Sequence, residues 1–281
     1  YSNGIWMCST HAKLIDTDEV RFTVEMLRRW RELAELRASL SHAMGRSIQL
    51  ELRRGREVPL AEVKRSASQN SSRTINDMCT AVLDSCIVDV WGRDLGLAVR
   101  DLVGELMANA FLHGGASQFR LDIDQNRVLI ESNDAPYSFG QLLDNSKCRG
   151  GQQAAASLMK LSDRLITSYR REANSNVLEI AFITSCDQVL RATTCSIKHI
   201  DFVTALESAD QLPAVYSSCE TIYVVLHPDN HFIPSVALHI SDHLKAFSAA
   251  NKRMVLIGSD ISKGVIYTLK EAFPDMQVVQ V

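Results

Sequence analysis

The chain has 281 residues, 46% of them apolar and 22% charged, with a formal net charge of −3. That composition belongs to folded globular proteins and sets aside disordered, fibrous and strongly basic nucleic-acid-binding chains. No apolar run approaches the ~20 residues that span a bilayer, so a membrane protein is not expected. The length suggests two domains. Seven cysteines, an odd count spread through ordinary segments, argue against a disulfide scaffold and for a reducing, cytoplasmic setting. The opening Tyr1-Ser2-Asn3-Gly4-Ile5-Trp6 has no initiator Met and no leader layout, so the expectation is a start inside a larger protein.

Along the chain, residues 18–44 read as a helix, because Val24, Leu27, Trp30, Leu33 and Leu40 recur at three- and four-residue intervals. Asp16, Thr17 or Asp18 can cap its start, and Gly45 can end it. Residues 47–52 alternate like a short strand. Residues 53–73, basic and Ser/Asn-rich around Pro59, read as a loop plus one helical turn with a solvated face. Helices are expected over 75–86 and 95–112. A hairpin follows from 118–123 and 127–131 about Asp124, Gln125 and Asn126. Residues 151–161 are helical, 165–169 and 177–183 form a second strand pair, and 190–196 add one more strand. A boundary falls at 207–218. Beyond it, strands at 221–226, 253–257 and 276–281 alternate with helices at 235–250 and 263–273, the pattern of parallel βαβ units.

The chemistry concentrates between Asp101 and Gly115. Glu105, Asn109 and His113 stand at i, i+4 and i+8 and share one helix face. An Asn oxygen is a hard ligand for Mg²⁺, which takes much of its shell from water and phosphates. A Glu one turn away can orient or deprotonate a water or hydroxyl near a γ-phosphate. Gly150 and Gly151 open a helix, where backbone N–H groups can approach phosphates, and Lys147 and Arg149 add charge beside them. The alternative is a buried helix carrying one polar stripe.

Glu105-x-x-x-Asn109-Ala-x-x-His113-Gly resembles the N-box of GHKL (Bergerat-fold) ATP-binding domains, and its His-Gly is most similar to the anti-sigma-factor kinase branch. The resemblance covers roughly residues 70–185. It implies an α+β fold, a two-layer sandwich with ATP and Mg²⁺ as cofactors. Glu105 would be the general base, Asn109 the Mg²⁺ ligand, and Gly150 and Gly151 the phosphate loop. The family follows its second hairpin strand with an Asp-x-Gly box at the adenine. This chain has Ser132 in the Asp position, Asp134 as the nearest carboxylate and neither glycine, which implies altered or lost adenine recognition with Ser132 or Asp134 at the base.

Two flanking resemblances complete the picture. Asn3-Gly4-Ile5-Trp6 with Cys8, His11 and Asp16, leading into the helix that carries Trp30, resembles the end of bacterial HNH-like zinc/nuclease modules. Cys8 and His11 would be a Zn²⁺ remnant, and nucleic acid would be met only through the intact upstream module. Residues 215–281 loosely resemble a STAS domain, with Ser235 at the phosphoacceptor place but Pro234 where an Asp is expected; a structural or dimerisation module is the alternative. His227, His231, His239 and His243 cluster without the zincin Glu and read as solvated histidines or a metal site. Three units result: 1–45, an HNH-like remnant and long helix; 46–205, GHKL-like; and 215–281, STAS-like. The expected function is Mg-ATP hydrolysis, serine-kinase-like transfer or a nucleotide-controlled switch in a bacterial regulatory or defence system, with a protein partner or homo-oligomer. The alternative is a catalytically degenerate scaffold for an HNH nuclease-type antiviral effector.

Overall fold

Two sheets of opposite kind organise the chain. The computed structural model describes residues 5, 7–45, 58–137, 150–161, 164–198, 212–226 and 234–281. Helices α1 (Ser9–Thr17) and α2 (Val24–Met44) precede strand β1 (Leu60–Ala67), helices α3 (Ser72–Asp84), α4 (Ile87–Val90) and α5 (Arg93–Leu112), and the hairpin β2 (Phe119–Gln125) and β3 (Arg127–Ser132). Then come α6 (Gly150–Leu161), β4 (Leu165–Glu172), β5 (Ser175–Phe182), α7 (Cys186–Ala192) and β6 (Ser196–Lys198). The chain closes with α8 (Leu212–Val215), β7 (Thr221–Leu226), α9 (Pro234–Ala249), β8 (Arg253–Gly258), α10 (Lys263–Ala272) and β9 (Gln277–Gln280).

Strands β1-β2-β3-β5-β4 form an antiparallel sheet in that order, and β6-β7-β8-β9 a parallel one. The chain is therefore of mixed α+β class. On β2, Phe119, Leu121 and Ile123 are buried, while Arg120, Asp122 and Asp124 alternate to the other face. The buried face joins Val128, Ile130, Leu178 and Ile180 to Val82 of α3, Leu102 and Leu106 of α5, and Leu158 of α6 in one core. Helices α3 and α5 approach closely at Gly104, where an added Cβ would lie 3.0 Å from Cys79 Sγ.

Several expectations change here. Helix α2 is capped by Thr23, whose Oγ1 accepts from the Met26 N–H at 3.2 Å. Residues 9–17 form their own helix, and Asp18 Oδ1 accepts from Arg21 N–H in the turn between. Gly45 does end α2, in the left-handed region at φ 63°. The expected loop and turn over 53–73 contain strand β1 instead. Leu60, Ala61, Val63 and Ala67 face the core, but a register shift between Leu60 and Val63 breaks the alternation that would have revealed them. Of the strand expected at 190–196, residues 190–192 end helix α7, 193–195 are a turn, and only Ser196 passes into β6. The strand expected at 47–52 lies outside the described residues.

Packing crosses the expected unit boundaries. Met26 and Leu33 of α2 belong to the antiparallel unit's core. Arg21 makes a bidentate pair with Asp84, Trp30 Nε1 donates to the Asp84 carbonyl at 2.7 Å, and Arg29 donates twice to the Pro59 carbonyl at 2.8 Å. The long helix is thus stapled to the sheet unit. The parallel unit takes its first strand from 196–198, ahead of the expected boundary, and Cys186, Val189, Cys195 and Ile197 lie in its core. Cys195 and Cys219 form a disulfide just before β6 and β7. A count of seven hides this pair, because its members stand 24 residues apart without a spacing signature.

The two units meet at the free edge of β4. The Tyr223 hydroxyl of β7 donates to the Thr167 carbonyl and accepts from the Thr167 N–H, at 2.5 and 2.9 Å. Burial pushes this phenol up to about 12. An exposed strand edge is thereby covered. No helix among the described residues is long and apolar enough to cross a membrane.

Candidate functional site

The polar residues singled out on α5 stand where three elements converge: the C-terminal half of α5, the start of α6 and the end of β3. Leu102, Leu106 and Ala110 anchor α5 to the core, which leaves Glu105 and Asn109 half-buried on its flank. Glu105 has no hydrogen bond or ion pair among the described residues. Asn109 lies against the first turn of α6, so closely that a Cβ on Gly151 would sit 2.9 Å from its Nδ2. Gly150 is the first residue of that helix. Lys147 and Arg149 lie outside the described residues.

After α5 the chain turns sharply. The Asn109 carbonyl accepts from His113 N–H at 2.9 Å and Gly114 N–H at 3.0 Å, and Gly115 takes φ 71°. His113 is exposed at the helix end, and only its backbone joins this turn. Gly114 is pressed against the chain leaving β3: an added Cβ would lie 2.6 Å from Asp134 Cβ, 2.7 Å from Asp134 Oδ2 and 2.9 Å from the Ala110 carbonyl oxygen. The Gly114 carbonyl accepts from Ala135 N–H at 3.0 Å, and Asn133 Oδ1 accepts from the Ser117 and Gln118 N–H groups. Gly151 thus leaves room for the Asn109 side chain, and Gly114 for that of Asp134.

Ser132 and Asp134 are brought together and buried, at 3% and 7% exposure. Ser132 Oγ donates to Asp134 Oδ1 at 2.7 Å, and Asn176 Nδ2 donates to the same oxygen at 2.6 Å. Arg171 bridges the Asp134 carbonyl and Asn176 Oδ1, which also accepts from the Tyr169 hydroxyl at 2.7 Å. A buried carboxylate needs such partners, since an unpaired one costs several kcal/mol. Tyr137 packs against Tyr169 with ring centroids 5.1 Å apart and the rings tilted by 41°, and burial together with the Asp134 charge pushes its phenol upward. Asn176, Arg171 and Tyr169 carry no motif. The β3–β5 register sets Ser132 opposite Asn176, and the β4–β5 register brings Arg171 opposite Asn176 with Tyr169 two residues before it.

Beside Glu105 runs a groove of 680 Å³ between α3, α5 and α6. Asp94, Asp101 and Glu105 line one wall, Gln153 and Ser157 the other, and no Lys or Arg among the described residues lines it.

The flanking candidates stand apart from this site. Cys8 stands at the N-cap of α1 and His11 in its first turn, both exposed, with Sγ and Nδ1 2.9 Å apart; the His11 backbone and ring lower the Cys8 thiol. Two donors fill half of a tetrahedral zinc shell, and among the described residues no three His, Cys, Asp or Glu side chains converge on one point. Ser235 stands in the first turn of α9, but its side chain and those of His239 and His243 lie outside the described residues, as do His227 and His231 entirely. Set against protein-family models, curated proteins and solved structures, the chain has no match in any of the three.

Proposed function

We propose that Glu105, Asn109 and the glycine-led start of α6 form a magnesium-nucleotide site, as the GHKL resemblance implies. One observation carries this reading: Asn109 is held against Gly151 at a helix N-terminus, one turn from a half-buried Glu105 that has no cation among the described residues. With its Nδ2 turned to Gly151, Asn109 has its carbonyl oxygen to offer a hard cation. A single protein oxygen suits magnesium, which keeps water and phosphate oxygens for the rest of its shell. Bound there, the ion would supply charge neutralisation on the phosphates. Glu105 would accept a proton from the attacking water or hydroxyl, and the α6 N–H groups would hold phosphate oxygens.

The regulatory alternative also has an observation in its favour. Asp134 Oδ1 is committed to Ser132 and Asn176, so that lone-pair face is unavailable to a nucleobase. Thermal denaturation with Mg-ATP separates the readings. Ligand at a hundredfold its Kd stabilises by about 2.7 kcal/mol, and Asn109→Ala should abolish that gain. Glu105→Ala should keep the gain and stop phosphate release. No shift with any nucleotide would leave the scaffold reading.

A further inference from the structure

We infer that the groove between α3, α5 and α6 docks a basic amphipathic helix of a partner protein. Its floor is apolar and small, with Ile75, Leu97, Ala98, Ala108 and Ala154. Its α5 wall is acidic: Asp94, Asp101 and Glu105 follow one another at seven and four residues, which keeps all three on one stripe. At 1.5 Å per residue the stripe is about 17 Å long. Asp94 and Glu105 have no ion-pair partner among the described residues. Asp101 does, but both Arg100 bonds land on Oδ1, at 2.8 and 2.6 Å, and leave Oδ2 to another group. The opposite wall, Gln153 and Ser157, is polar and uncharged.

Charge and shape together select the occupant. Three carboxylates spread over that length do not converge on one ion, consistent with the absence of a three-ligand cluster among the described residues. A free polyphosphate would meet three like charges. A helix laid along the groove can place Lys or Arg at the same seven- and four-residue spacing and bury alternate apolar residues on the floor. The inference stands independently of the nucleotide reading, although Glu105 faces both; for that reason the test uses Asp94 and Asp101.

The probe is a fluorescent helical peptide of about 15 residues, Leu/Ala on one face and Lys at the matching spacing, with a Glu-for-Lys peptide as control. Fluorescence anisotropy on the full chain should show binding of the Lys peptide that weakens as salt rises. The exposed double substitution Asp94→Lys/Asp101→Lys should weaken it by about tenfold or more, with an unchanged circular dichroism spectrum and an unchanged response to Mg-ATP. Ala108→Trp, which fills the floor, should weaken it as well. Equal binding to the charge-reversed chain, equal binding of the Glu peptide, or no binding would overturn the inference. So would a dimer in sedimentation that the charge reversal dissolves, because the occupant would then be a second copy. Absence of any nucleotide response in the parent chain, with peptide binding intact, would sink only the nucleotide reading.

Discussion

The antiparallel and parallel units bury their strands in different ways, and the difference shows where chemistry can reside. In the parallel sheet, β7 is buried from Ile222 to Leu226 and β8 from Met254 to Gly258, the apolar run of strands covered on both faces. Its buried polar groups among the described residues are uncharged: Thr184, Thr193, Ser241 and the Tyr223 hydroxyl. The antiparallel unit instead buries two carboxylates, Asp134 and Glu179, with Ser132, Ser168 and Asn176 close by in sequence or pairing. Buried charge is expensive unless it is paired, and the unit that carries it also carries the half-buried Glu105 and Asn109. The parallel unit is a packing platform; the antiparallel unit is built around polar groups.

If that contrast holds, the two units fail for different reasons. The largest effect is expected in the platform. Cys195→Ser/Cys219→Ser removes a bond that closes 24 residues of chain and should cost about 3 kcal/mol of stability. Dithiothreitol should lower the melting temperature of the parent chain to that of the variant, and should leave the variant unmoved. Next comes Gly114→Ala in the polar unit. Its Cβ would strike Asp134 Cβ and the Ala110 backbone carbonyl, neither of which can swing aside, so a loss of about 1–3 kcal/mol is expected in chemical denaturation. Gly151→Ala meets only the tip of the Asn109 side chain. Stability should change by no more than about 0.5 kcal/mol, while the nucleotide-induced shift should be lost as Asn109 is displaced. A nucleotide shift retained in Gly151→Ala would break the link between that glycine and the site.

Legibility in the sequence follows the same division. The β2–β3 hairpin was readable because Phe119, Leu121 and Ile123 alternate cleanly with charged residues about an obvious turn. The parallel unit was readable because its apolar runs alternate with helical stretches. Strand β1 was not, since Glu62, Lys64, Arg65 and Ser66 dominate its appearance and its register shift interrupts the period. Within the site, helical spacing alone put Glu105 beside Asn109. The resemblance nominates Ser132 and Asp134, Ser132 by its register with the Asp-x-Gly box and Asp134 as the nearest carboxylate. Asn176, Arg171 and Tyr169 were out of reach, because nothing local says that β5 will pair with β3 and carry Asn176 to Asp134.

Glu179 offers the smallest expected effect and the finest test of the contrast. It is 4% exposed on the sheet face opposite the helices, with Arg127 Nη1 3.7 Å from Oε1 and Arg170 Nη1 3.4 Å from Oε2. Burial raises its carboxyl above the ordinary glutamate value of 4.5, and the two guanidinium groups only partly oppose that. The folded chain then holds this proton to higher pH than the unfolded chain does. Its contribution to stability is therefore full below 4.5 and declines as pH rises through the elevated folded value. Glu179→Gln cannot titrate, so the variant should gain on the parent as pH rises through that window, whatever the offset between them at low pH. The measurement is urea unfolding of both proteins at several pH values from 4 upward. A parallel pair of stability curves would mean that Arg127 and Arg170 compensate the buried charge completely, and the antiparallel unit would then bear its buried charge at no cost in this window.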